Sequence, residues 1–252
     1  VENEAMDPIR QFRVESMVDA HPFGANLSFT NASLFMVIVL LLACLLMIIG
    51  ASRKSLVPGR IQSIAEMAYE FVANTVKVTA GTAGMRFFPF IFSIFIFVLF
   101  SNLLGLLPYS FTVTSQIIVT FALAVMIIGL VIVYGLAKHG LHFLNLFVPS
   151  GVTPVLVPFL VMIEVISFAS RPISLSVRLF ANMLAGHITL KVFGGFVAIL
   201  LSAGFALKVL SILPLAMIVV LTAFELLVAV LQAYVFAILT CVYLNDAIHP
   251  GH

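Results

Sequence analysis

Residues 152–203 are apolar almost throughout, yet they carry Glu164, Arg171, Arg178, Asn182, His187 and Lys191. A continuous helix of about 50 residues would be ~75 Å long, against a bilayer hydrocarbon core of about 30 Å. Between Glu164 and Lys191 no window of about 20 residues is free of ionisable groups, as an upright lipid-facing helix requires. Two arrangements meet the constraint. Either Pro172 and Gly194-Gly195 divide the stretch into upright spans, or it stays whole and crosses steeply tilted against protein. Periodicity leaves both open. A second long apolar stretch covers residues 208–242.

The chain is 63% hydrophobic and 9% charged, whereas charged residues make up about a quarter of an ordinary soluble domain. It therefore reads as one polytopic, all-α integral membrane domain over residues 1–252. A net charge of +2 argues against a nucleic-acid partner. Cys44 and Cys241 lie in apolar runs and read as packing residues, and neither CxxC nor Cys/His metal spacing occurs. His139 and His142, three apart, lack a third ligand nearby, so no metal site is expected. There is no GxxxxGK[ST] segment, so no nucleotide chemistry or cofactor is expected of this chain.

Residues 31–51 are long enough for a first span, and Arg53, Lys54 and Arg60 follow it. The positive-inside rule puts that end on the inner side and the polar segment 1–30, which lacks a secretory-signal pattern, outside. Residues 58–79 are amphipathic. Ile61, Ile64, Ala65, Ala68, Phe71, Val72 and Val76 form one face, and Ser63, Glu66, Glu70, Asn74 and Lys77 the other. This segment is expected to lie along the inner membrane surface or under a partner helix, ending at Gly81 and Gly84. Residues 87–137 read as an apolar hairpin turned at Pro108-Tyr109, with Asn102 near the outer end of its first arm. Lys138 and His139 mark the return inside. Residues 152–246 supply the last two crossings. Five crossings put the two chain ends on opposite sides.

The embedded polar groups fall on defined helix faces. Arg178 cannot shed its charge, and an arginine at the bilayer centre costs at least ~2.5–3.5 kcal/mol. Snorkelling or a structural carboxylate can offset that cost, but several ionisable groups together read as an ion or proton path. Glu164, Arg171 and Arg178 are spaced by seven and share a face if Pro172 only kinks the helix; Ser174 and Asn182 lie one turn either side of Arg178. His187 is rotated about 180° from Arg178, with Lys191 one turn beyond it. Glu225 and Gln232 share a face of the last helix. An imidazole and a carboxylate suit proton passage, with ordinary pKa values of about 6.5 and 4.3. A fixed arginine blocks it. A path and a barrier are the minimum for a gated proton conductor; a buried structural His187–Glu225 ion pair is the alternative.

The run Arg178-Leu-Phe-Ala-Asn182-Met-Leu-Ala-Gly186-His187 resembles subunit a of the F-type ATP synthase. Glu225-Leu-Leu-Val-Ala-Val-Leu-Gln232 resembles that family's last helix, and Leu103-Leu-Gly-Leu-Leu-Pro108 its first hairpin arm. The two long motifs are specific; the third alone is weak. The resemblance covers the whole chain in order. It implies five crossings plus an amphipathic surface helix, with the last two helices long and steeply tilted. It implies that Arg178 faces a ring of c subunits and separates two half-channels. The outer one would hold Asn102, Asn182, His187, Glu225 and Gln232, and the inner one Glu164 and Ser174. It implies as partners the c-ring, b-type peripheral stalk subunits and the remaining ATP synthase, in an energy-coupling membrane. Many bacterial members place an acid where this chain has His187 and a histidine where it has Glu225. The exchanged pair is similar to mitochondrial and some alphaproteobacterial-like members. The ending Asn245-Asp-Ala-Ile-His-Pro-Gly-His252 leans towards a bacterial plasma membrane over the mitochondrial inner membrane.

Three other readings fit less well. A secondary transporter predicts internal repeats, and none is visible. An intramembrane hydrolase needs a paired nucleophile and base, and Asp7, Asp19 and Asp246 are expected outside the spans. A simple channel needs no fixed arginine.

Overall fold

The computed structural model describes residues 12–18, 28–52, 58–107, 110–140, 143, 147 and 156–248. Arg53, Lys54, Pro108-Tyr109, His142, Asp7, Asp19 and the ending beyond Ile248 lie outside these residues. Among the described residues the regular elements are helices apart from one short ribbon. Strands β1 (Ser16–Val18) and β2 (Phe29–Thr30) pair antiparallel, Ser16 opposite Thr30 and Val18 opposite Phe29, with an irregularity between. The all-α reading did not include this ribbon. Asn31 secures it to the first helix: its Nδ2 donates to the Arg13 carbonyl at 3.0 Å, and its Oδ1 accepts from the Glu15 N–H at 3.2 Å.

Helix α1 (Asn31–Ser52) begins where the Thr30 hydroxyl accepts from the Ser33 N–H at 3.3 Å, satisfying one of the free donors of a helix start. The α1 sequence is apolar all round, and most of its surface faces outward, as suits lipid. Helix α2 (Arg60–Gly84) packs beneath α1 and the last helix. Its buried stripe is Ala65, Val72, Ala73, Val76 and Ala80. Ile61, Ile64 and Phe71, expected on the packed face, are instead 47%, 51% and 47% exposed. The small residues explain the choice of face. A β-carbon on Gly50 of α1 would lie 2.7 Å from the Ala65 Cβ, an approach that only small side chains permit.

The glycines expected to end this helix do so: the backbone leaves helical geometry at Gly81, where a kink interrupts the helix, and α2 finishes at Gly84. Gly81 takes φ 64° and ψ −165°, a backbone that β-carbon-bearing residues rarely adopt. The chain then continues through a short 3-10 turn, Met85–Phe87, into α3 (Phe88–Gly105). Residues Arg60–Gly105 are thus two helical arms joined through a kink and a short turn, and by length and composition the stretch is apolar enough to cross a membrane.

Helix α4 (Ile117–His139) returns from α3. The long helix α5 (Val157–Ser202) follows, then the single turn and a half of α6 (Phe205–Leu210), then α7 (Ile212–Ile248). Among the described residues five apolar helical stretches are long enough to span a bilayer. Pro172 lies inside α5, and neither it nor Gly194-Gly195 divides the 46-residue helix. An uninterrupted helix of that length is about 69 Å long and does not fit upright within a core of about 30 Å.

The core lies where α7 crosses α2, α3 and α4. Ala229, Ala233 and Ala237 of α7 are fully or almost fully buried, as are Phe236 and, two turns on, Leu244. The alanines let α3 come close with Ile91, Ile94 and Val98. Cys241 joins this core, whereas Cys44 is exposed on α1 and does not pack inside the chain. The first half of α7 and much of α5 remain outside it: Ile166, Val219 and Phe224 are all more than 60% exposed.

Candidate functional site

Helix α5 carries two different environments. On one side the i, i+4 row Ser174, Arg178 and Asn182 is exposed. Arg178 makes no hydrogen bond and no ion pair with any described residue. On the other side His187 is buried. This is the division that a rotation of about 180° over nine residues demands.

The buried side is assembled from four elements. His187 Nδ1 lies 3.7 Å from Glu225 Oε1 on α7. His187 Nε2 lies 3.0 Å from the Thr112 hydroxyl, in the segment between α3 and α4. The Phe12 ring covers the imidazole with centroids 6.0 Å apart, and the Lys191 ammonium sits 5.6 Å from the same ring. Gln116 Nε2 donates to the Phe12 carbonyl at 2.8 Å, holding this N-terminal residue in place.

Glu225 is 4% exposed, and neither carboxyl oxygen has a hydrogen-bond partner among the described residues. Burying such a group without a partner is costly, so its position calls for a reason. It faces a cavity of about 430 Å³ between α5 and α7, lined by Asn182, Gly186, Thr189, Leu221, Glu225 and Gln232 among others. The Gln232 Oε1 is also buried and lacks a hydrogen-bond partner among the described residues. The lining is mainly apolar, with Asn182, Thr189, Glu225 and Gln232 as its polar groups, and the space is large enough to hold water molecules beside them.

Asn102, in the last turn of α3, belongs to the same neighbourhood. Its Nδ2 donates to the Ala229 carbonyl of α7 at 3.1 Å, and its Oδ1 accepts from the Thr114 hydroxyl at 2.8 Å. The segment 110–115 thus turns two hydroxyls inward, Thr112 towards His187 and Thr114 towards Asn102. Thr112, Thr114 and Phe12 were not anticipated from the sequence. The sequence signal is the density of hydroxyls, Ser110, Thr112, Thr114 and Ser115, in a segment where Thr112 is extended and Val113–Ser115 form a short 3-10 turn.

The remaining predicted residues lie apart from this centre. Glu164 sits 3.8 Å from Arg171, and the Arg171 Nη1 donates to Asp246 Oδ2 at 2.9 Å. Arg171 also stacks against Phe168 and Tyr243, 5.2 and 5.0 Å from their ring centres. Equal spacing by seven therefore does not give Arg171 and Arg178 one environment: the first is tied to the end of α7 and the second is exposed. Asp246, expected outside the spans, is in the last turn of α7 and is the closest acidic partner of Arg171.

Comparison with known proteins places this arrangement. The ATP synthase A chain family matches residues 33–245. ATP synthase subunit a of Beijerinckia indica is 64% identical over 251 residues, covering 100% of this chain and 99% of the relative. The Mesorhizobium japonicum protein of the same name is 64% identical over 249 residues, with 99% of each chain covered. That of Chelativorans is 62% identical over 248 residues, covering 98% of this chain and all of the relative. With its five apolar helices and its match across nearly the whole length, the chain belongs to the ATP synthase A chain family.

Proposed function

We propose that this chain is the stationary proton-conducting subunit of the ATP synthase membrane sector, working against a ring of c subunits. Protons enter from the outer side along Asn102, Asn182, His187, Glu225 and Gln232. They reach a carboxylate on a c subunit. The neutral carboxyl can then travel through lipid, which an ionised one cannot cheaply do. After most of a rotation it meets the inner path near Glu164 and Ser174 and releases its proton. Arg178 stands between the paths. At 4 Å its attraction for an ionised ring carboxylate is about 4 kcal/mol at an effective dielectric of 20, which favours proton release and bars direct flow. b-type stalk subunits would hold the chain against the torque. Its alphaproteobacterial relatives favour the bacterial plasma membrane as its location.

The observation that carries this reading is the exposed Arg178. A cation on an apolar helix face, with no carboxylate of its own chain bonded to it among the described residues, is expected to meet one from a partner. The ion pair between Arg171 and Asp246 shows the contrast, since there the charge is satisfied within the chain.

The test is a pH-dye assay on vesicles holding the assembled complex. Arg178→Ala should abolish ATP-driven proton pumping, while passive leak through the membrane sector under an imposed gradient rises. Arg178→Lys should also pump poorly, because an ammonium lacks the planar fork and loses its proton when buried. Normal coupled pumping by the Ala variant would return Arg178 to a purely structural role.

A further inference from the structure

The geometry points to Thr112 as the residue that positions the His187 imidazole and confines its proton exchange to Nδ1, the nitrogen facing Glu225. This rests on the proton path proposed above. Thr112 is fully buried, and its Oγ1 lies 3.0 Å from His187 Nε2 and 3.4 Å from the Gly105 carbonyl oxygen. A hydroxyl has one proton to give and two lone pairs to accept with. Here the Thr112 O–H donates to the Gly105 carbonyl, and its oxygen accepts from the His187 Nε2–H. That order fixes the tautomer. Nε2 keeps its proton, and Nδ1, 3.7 Å from Glu225 Oε1, carries the free lone pair.

Proton transfer then leaves the Thr112 side unchanged. When a proton arrives on a water (as hydronium) from the cavity beside Glu225, its O–H bond breaks, an N–H bond forms at Nδ1, neutral water is left and the ring becomes imidazolium. When it leaves, that N–H bond breaks and an O–H bond forms on the Glu225 carboxylate. In both states Nε2–H remains bonded to Thr112, so no buried polar hydrogen loses its partner during the cycle. The threonine is held in this pose by its methyl group. A β-carbon on Gly105 would lie 2.6 Å from Thr112 Cγ2, so the methyl fills the notch that the glycine leaves. The Thr112 carbonyl accepts from the Ser115 hydroxyl at 2.6 Å, which fixes the backbone as well. The charged groups around the ring are Glu225 on α7 and Lys191 on α5 itself, with Arg13 and Glu15 following Phe12 in the N-terminal stretch. None of these reaches Nε2 in place of the hydroxyl.

The experiment measures proton-driven ATP synthesis by the assembled complex in vesicles. Thr112→Val keeps the shape and removes the hydroxyl, and should slow synthesis roughly tenfold, the scale of one unpaired buried donor. Thr112→Ser should restore most of the rate. In a His187→Ala background Thr112→Val should add no further loss, because the threonine acts through the histidine. The assignment is overturned by a wild-type rate in the Val variant, by Val and Ser variants that are equally slow, or by a further tenfold loss in the double variant. If the Val variant fails to assemble, Thr112→Ala is held to the same criteria, and failure of both assigns Thr112 to packing. An unimpaired His187→Ala variant would refute the proton path itself, a different result from a silent Thr112→Val beside a slow His187→Ala.

Discussion

Gly186 and Glu225 compete for the same space: a β-carbon on residue 186 would lie 2.5 Å from Glu225 Oε1. The carboxyl reaches its position beside His187 only because its neighbour on α5 has no side chain. The atom in the way is the end of a flexible side chain, so substitution displaces the carboxyl and leaves the helices in place.

Gly186→Ala is therefore expected to assemble normally and to lose function. Moving a reacting group by about 1 Å can cost a hundredfold, so a fall of ten- to a hundredfold in proton-driven synthesis is expected. Native electrophoresis checks assembly, and vesicle assays check the rate. An assembled variant with an unchanged rate would mean that the Glu225 position does not matter.

Exchange of the pair offers a second check. His187→Ala and Glu225→Ala should each slow synthesis. The combination His187→Glu with Glu225→His should retain more activity than either, because one acid and one imidazole remain in contact range. The Thr112 hydroxyl suits the exchange, since it can donate to a carboxylate as well as accept from an imidazole. A double exchange no better than the single losses would favour a fixed structural ion pair.

The cross-link between Arg171 and Asp246 is expected to serve stability. Asp246→Ala should lower the stability of the folded subunit by roughly 1–2 kcal/mol, the range for a charge-assisted hydrogen bond that is partly exposed. Thermal dissociation of the purified complex measures this. Arg171→Leu combined with Asp246→Leu should recover part of the loss, because neither end of that bridge keeps an unpaired charge and the Glu164 that loses Arg171 is the more exposed partner. Strictly additive losses would show that the two residues are not coupled.

Topology can be tested at described positions. In a background lacking Cys44 and Cys241, a cysteine replacing the exposed Met17 should react with an impermeant thiol reagent from the outer side. One replacing the exposed Arg60 should react from the inner side. Reaction of both from the same face would overturn the proposed orientation.

Much of the fold was legible because it depends on periodicities the sequence displays. Helix α1, residues 31–51 by hydropathy, is Asn31–Ser52 in the structure, and the opposed faces of Arg178 and His187 follow from helical geometry alone. The face chosen by α2 was not legible. Hydropathy ranks Ile61, Ile64 and Phe71 above alanine, but inside a membrane large apolar side chains are equally content against lipid, and close helix packing selects Ala65, Ala73 and Ala80 instead. Gly81 was legible, since a glycine reads as a helix stop and the helix is interrupted there at a positive φ. At the site, His187, Glu225, Gln232 and Asn102 stand out because polar groups in apolar runs are rare. Thr112, Thr114 and Phe12 do not, because their contacts depend on how a non-periodic segment folds back. The pairing of Asp246 with Arg171 was not legible, because sequence spacing does not say which turns of α5 and α7 lie side by side.

The unbroken course of α5 sets Arg178 and His187 in fixed phase on a single rod. They are about 13.5 Å apart along its axis and half a turn apart around it. Two such residues joined by a loop would tolerate a residue gained or lost between them. Here one insertion or deletion turns everything beyond it by about 100°, swinging the histidine away from its acid or the arginine off its face. The interval between them is thus quantised by the helix: a side chain at position 187 can be replaced without moving the rod, whereas the count of residues in between cannot change by one without turning one end off its face.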